Sequence, residues 1–134
     1  MTSLFDLQLW AQVTSALILG GMVFFAFLFA PLVFVKLPAK TAGSFIREVF
    51  PVYYIAFAGV AMLAAALAIP RIDALVLAIV AGFFLLARFW LMPKINQARD
   101  QGENRSFERL HRLSVFINAA QMIAVFVVLV RLAL

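Results

Sequence analysis

The residues best suited to chemistry in this chain are polar groups set within long apolar runs. His111, Ser114, Asn118 and Gln121 follow one another at spacings of 3, 4 and 3. At about 100° per residue they fall within about 80° of one another, forming one polar stripe along a helix. Tyr53 and Tyr54 stand near the start of a second apolar run, and Arg88 stands near the end of a third. Polar groups inside membrane spans are costly, so their presence is informative. Convergence of the three segments predicts a ligand-binding pocket of Arg88, His111, Ser114, Asn118, Gln121, Tyr53 and Tyr54. Each residue also has a plainer role. Arg88 snorkels to the headgroups, Asn118 and Gln121 tie helices together, and His111, between Arg109 and Arg112, is an interfacial histidine.

Other chemistry lacks its parts. A serine triad needs a carboxylate beside the histidine, and every Asp and Glu lies at the end of an apolar run or between runs. Zinc needs several convergent ligands, whereas the chain has one histidine and no cysteine. Haem, the one cofactor with candidate ligands, needs His111 with Met62, Met92 or Met122, or His111 from two chains. The expectation is a non-enzymatic protein without a cofactor, with His111 a weak candidate metal or haem ligand.

The elements that position these residues follow from composition. Of 134 residues, 66% are hydrophobic and 13% charged, with a mean hydropathy of +1.09. Soluble domains are about 45–50% apolar and about 25% charged, so one integral membrane domain is expected. About 20 apolar residues cross roughly 30 Å of hydrocarbon as a helix. Four segments meet that length, with spans at about 10–35, 50–69, 74–92 and 113–131. Barrel strands need only about 9–11 alternating residues, so the predicted fold is all-α, a polytopic four-helix bundle. The first run is too long for a signal sequence and is expected to remain as the first span.

Lys and Arg set the orientation. Nine of the eleven fall in or beside the connections at 36–49 and 93–112; Arg71 and Arg131 are the other two. Those connections are therefore expected in the cytoplasm and both termini outside a plasma (inner) membrane. The net charge of +5 reflects this topology and attraction to anionic lipid, so nucleic acid is not an expected partner.

The first cytoplasmic connection reads as a short interfacial helix, roughly 39–49, with Pro51 opening the second span. Pro70 stops that span and Asp73 caps the third. The second connection reads as a protruding hairpin, kinked at Pro93, broken at Gly102 and capped by Asn104. Gly20, Gly21, Ala26 and Ala30, the alanines between 58 and 68, and Ala78 with Gly82 predict close helix contacts, the Ala-rich second span at the centre. Gln8, Gln12, Thr14 and Ser15 read as a solvated outer end.

FAFLFAPLVFVKLP in the first span, FPVYY at 50–54 and RLHRLSVFINAAQ at 109–121 make the chain resemble the small four-helix membrane family of transmembrane protein 205. More distantly, it is similar to copper-resistance and haem-pathway four-helix membrane proteins, whose additional membrane histidines it lacks. The resemblance implies fold and location, with a loose association with metal-containing compounds. The expected role is that of an accessory subunit or oligomeric scaffold, with a membrane-protein partner or a second copy of itself as well as the lipid bilayer. The alternatives are small-ligand binding or transport through the polar pocket, for an anionic or metal-containing compound, and haem or metal binding through His111.

Overall fold

The computed structural model describes residues 4–68 and 71–134. The order is α1 (Leu4–Phe24), a π-helical turn (Phe25–Phe29), α2 (Ala30–Lys36), α3 (Ala39–Leu67), α4 (Arg71–Leu86), a second π-helical turn (Ala87–Leu91), α5 (Met92–Asp100) and α6 (Asn104–Ala133). No strand occurs among the described residues. The segments join into four helices long and apolar enough to cross a membrane: Asp6–Lys36, Ala39–Leu67, Arg71–Asp100 and Asn104–Ala133. Ile69 and Pro70, the expected stop of the second span, lie outside the described residues.

The four helices form a ring in which α3 packs on α1 and α4, and α6 closes the circuit by packing on the same two. The connections at 36–39 and 100–104 share one end, here the loop end. The start of α1, the end of α3, the start of α4 and the end of α6 lie at the other, here the terminal end. The nine basic residues grouped by sequence fall in the loop-end half. The main core contains Ile18 and Met22 of α1, Ala58, Ala61 and Ala64 of α3, Leu77, Val80 and Phe84 of α4, and Val125 and Val128 of α6.

Small residues set the closest approaches, though not all the expected ones do. A Cβ on Gly21 would collide with the Phe57 ring, and that ring is itself held in stacking with Tyr53 at 4.5 Å. Gly59 and Gly82, by contrast, face open space. On α4 the inward face is Leu77, Val80, Ala81 and Phe84, so the Ala78–Gly82 pair makes no close contact. The Ala-rich helix buries one face only, and in a ring no helix is central.

Prolines account for the breaks in regularity. An α-helical proline lacks its N–H and crowds the carbonyl four residues earlier. Pro31 and Pro93 are each the second residue after a π turn. There the N–H of Ala30 reaches the Phe25 carbonyl and that of Met92 reaches the Ala87 carbonyl. The wider turn relieves the crowding without ending the helix. Pro51 behaves differently and lies inside α3 with no break. The segment 39–49 is therefore helical, as expected, but it is the start of the second span and not a separate interfacial helix. Two contacts hold it in line. Ala42 and Ile46 are buried against Val33 of α2, and Arg47 forms a two-pronged ion pair with Asp100 of α5, both N···O distances 2.9 Å. At 1.5 Å per residue α3 is about 43 Å long, about 13 Å more than the hydrocarbon is thick, which leaves room for its first two to three turns to project beyond it.

The second hairpin matches the expectation at Gly102, whose φ of +68° closes the turn. It differs at the cap: Glu103 occupies the cap position of α6 without a side-chain hydrogen bond, and Asn104 is the first helical residue.

Candidate functional site

The loop-end half of the ring contains a cavity of about 390 Å³ between the first π turn, α3 and α6. Its apolar wall comes from Phe25, Ala26, Phe27 and Ala30, and its polar wall from Tyr53, Tyr54, His111, Ser114 and Asn118. The π turn makes the room, because a widened turn displaces the helix axis just where Ala26 and Ala30 offer little side chain. The cavity opens sideways between the first and fourth spans, where Phe27 and Val115 are exposed. A narrower extension of about 210 Å³ shares Ala30, Phe50, Tyr54, His111 and Ser114 with it and runs toward the loop end. Arg47, Asn96 and Arg99 line that extension. The path thus leads from an apolar flank facing lipid to guanidinium groups near the aqueous boundary.

Aromatic packing fixes the tyrosines. Tyr53 lies 4.4 Å from Phe25 and 4.5 Å from Phe57, ring centre to ring centre, and is buried. Tyr54 stacks on Phe50 at 5.4 Å. On the opposite wall Arg99 lies over Phe107, which in turn stacks on His111 at 5.9 Å. The Ser114 hydroxyl donates to the His111 carbonyl at 2.7 Å, a local helix bond that spends its proton and leaves its oxygen free to accept. The Tyr53 and Tyr54 hydroxyls, the His111 ring and the Asn118 amide form no hydrogen bond to another described residue.

Two of the expected members lie elsewhere. Gln121 is buried and donates to the Val80 carbonyl at 2.9 Å. It stands at the edge of the stripe, about 60° round from Asn118, which turns it toward α4. Arg88 lines neither the cavity nor its extension. In the second π turn Ala87 and Leu91 are the buried positions, so Arg88, next after Ala87, is carried round the helix and lies against Phe89 at 5.0 Å. Depth was legible in the sequence; the direction of the side chain was not. Arg99 and Asn96, which do line the extension, sit in a segment that sequence alone marks only as a solvated hairpin.

The terminal end also differs from expectation. Thr14 and Ser15 are buried, and Gln8 and Gln12 both donate to the Leu132 carbonyl, so the two glutamines join α1 to α6 and the group is not a solvated rim. Asp73 does not serve as a free cap. Its side chain is 2% exposed and accepts from Arg131 Nε at 2.8 Å, while its other oxygen, Oδ2, has no partner among the described residues. No three His, Asp or Glu side chains converge into a metal site among the described residues.

A family model for a domain of unknown function, DUF4149, matches residues 13–104. The chain belongs to the DUF4149 family. The stretch matched to DUF4149 spans α1 from Val13 through to the first residue of α6. It therefore includes the π turns, Tyr53, Tyr54 and Arg99, and excludes His111, Ser114 and Asn118. No curated protein matches this DUF4149 chain, and no solved structure does.

Proposed function

We propose that the protein is a non-enzymatic binding protein of the bilayer that takes a small amphipathic molecule into the cavity between its first, second and fourth spans. One observation carries this reading: four hydrogen-bonding groups without partners among the described residues line a cavity that is open to the side. An unpaired polar group in an apolar setting costs about 1–3 kcal/mol, and a ligand headgroup in the cavity offsets that cost. Tyr54, His111, Ser114 and Asn118 bind the head, and Arg99 in the extension favours an anionic one. Phe25, Ala26 and Phe27 receive the apolar part. The nine-to-two distribution of basic residues supports placing the loop end in the cytoplasm and both termini outside, in a plasma or inner membrane. Kinship with the transmembrane protein 205 family, resting largely on residues 109–121, belongs to the same proposal.

Dodecanoate, a single-chain anionic amphiphile, serves as the probe. Titrated into the detergent-solubilised protein, it is expected to shift the signals of His111 and the tyrosines in a saturable way. Ala119→Trp, which fills the mouth of the cavity, and Asn118→Leu are expected to remove saturation while helicity and melting temperature stay near wild type. Equal binding by wild type and Ala119→Trp defeats the reading. A Soret band in the purified protein replaces the amphiphile with haem on His111.

A further inference from the structure

The opposite flank of α6 carries a second groove, on a face the proposed site does not use. It lies between α4 and α6, has a volume of about 550 Å³, and is walled by Ile79, Phe83, Leu86, Phe116, Ile117 and Ala120. Gln121, its one polar member, has its amide committed to Val80. The groove extends from Val76 to Trp90 along the third span. That is about 20 Å at 1.5 Å per residue, longer than the ~15 Å of one leaflet.

What meets this groove at the loop end is basic. Trp90 lines the groove, and the Lys94 ammonium lies over its ring at 5.6 Å. On α6, Arg105, Arg109 and Arg112 follow at i, i+4 and i+7, and Phe116 at i+11 continues the same face into the groove. Arg109 and Arg112 are exposed, and neither they nor Lys94 forms an ion pair among the described residues. Glu108, beside Arg109, makes no ion pair there either. An apolar slot somewhat longer than one leaflet, ending at three cations without an ion pair among the described residues, has the shape and charge of a phospholipid with an anionic headgroup. Basic sites between spans at the cytoplasmic boundary favour such lipids.

We infer that the α4–α6 groove is a specific site for one anionic phospholipid, its acyl chain against Phe83, Phe116 and Ala120 and its phosphate held by Lys94, Arg109 and Arg112. An acyl slot continuous with the cationic patch favours a lipid over a free phosphate. Trp90 supplies the readout. The full-length protein carrying Trp10→Phe, so that Trp90 alone fluoresces, is reconstituted in vesicles of equimolar phosphatidylglycerol and phosphatidylcholine. One lipid at a time carries brominated acyl chains, which quench on contact.

Brominated phosphatidylglycerol is expected to quench Trp90 with about fivefold preference over brominated phosphatidylcholine. The combined variant Lys94→Gln, Arg109→Gln, Arg112→Gln is expected to abolish the preference, and the charge-retaining Lys94→Arg, Arg109→Lys, Arg112→Lys to restore it. Ala120→Phe, which narrows the slot at the surface, is expected to reduce quenching by both lipids. Inorganic phosphate at millimolar concentration is expected to leave the preference intact; its loss there assigns the site to the free anion and overturns the lipid. Equal quenching by the two lipids in the starting protein, or a preference that survives removal of all three charges, also overturns it.

Discussion

The two flanks of α6 have similar boundaries and opposite linings. On one side α6 faces the first π turn and α3 across a cavity with phenols, an imidazole and an amide unpaired among the described residues; on the other it faces α4 across a slot whose single amide is already satisfied. Both flanks are pinned at the terminal end by polar contacts, Gln8 and Gln12 to the Leu132 carbonyl on the first and Asp73 to Arg131 on the second. The difference arises at mid-depth, from which side of the helix each residue of the polar stripe occupies. A rotation of about 60° between Asn118 and Gln121 separates an available hydrogen-bonding group from a structural one.

The largest effect is expected where the second flank is pinned. Arg131→Leu leaves the Asp73 carboxylate buried without its partner, and the cost is set at about 3 kcal/mol, the lower end of the range for breaking such pairs because Arg131 is half-exposed. Reversible unfolding in mixed micelles measures it, and a loss below about 1 kcal/mol removes the pair as a clamp. Next comes the close approach of α1 to α3 below the cavity. Gly21→Ala drives a methyl into the Phe57 ring and is expected to cost about 1–3 kcal/mol, whereas Gly20→Ala, in open space, is expected to be neutral or slightly stabilising. Equal effects at the two glycines in the same unfolding assay discard the packing account.

The contrast between the flanks is tested directly by two amides one helical turn apart. Gln121→Leu is expected to lower stability by about 0.6–1.7 kcal/mol with dodecanoate binding retained. Asn118→Leu is expected to change stability by less than ~0.5 kcal/mol and to lose binding. Reversal of that pattern exchanges the roles assigned to the two flanks. The smallest effect belongs to the exposed loop-end latch. The hydrogen bonds from Arg47 hold the Asp100 carboxyl below the ordinary aspartate value, and the same contact holds the Arg47 guanidinium above its own. A carboxylate with a depressed folded value contributes fully above its unfolded value, and the contribution is lost as pH falls through the folded one. Acidification through the ordinary carboxylate range and below is therefore expected to loosen α3 from α5 slightly, and Asp100→Asn to remove that step from the pH profile of melting.

Sequence carried the architecture further than the site. Hydropathy runs of sufficient length specify four spans because lipid admits little else, and Gly102 ends a helix for a reason local to its own backbone. Pro51 shows the limit: the same residue type that coincides with π turns at Pro31 and Pro93 lies within an unbroken helix, since packing of Ala42 and Ile46 on Val33 and the Arg47–Asp100 pair keep α3 straight. The candidate cavity was half legible. His111, Ser114 and Asn118 share a helix face by periodicity alone, and Tyr53 and Tyr54 share their depth. Arg88 and Gln121 were misplaced because azimuth depends on neighbours: a π turn changes the phase for one, and a carbonyl on α4 captures the other. The same is true of Gln8 and Gln12, whose partner, the Leu132 carbonyl of α6, arrives from more than a hundred residues away.

Each π turn is, in effect, an α-helix with one residue inserted. Wound as a regular α-helix instead, with that extra residue of Phe25–Phe29 kept, the segment would rotate α2 against α1 by about 100°. Ala30 would leave the cavity and Val33 would leave Ala42 and Ile46, although the span would remain as apolar as before. The two turns thus act as phase shifters, letting the terminal half of the bundle pack tightly while the loop half is aimed separately. The geometry of the cavity depends on residue count as much as on residue type.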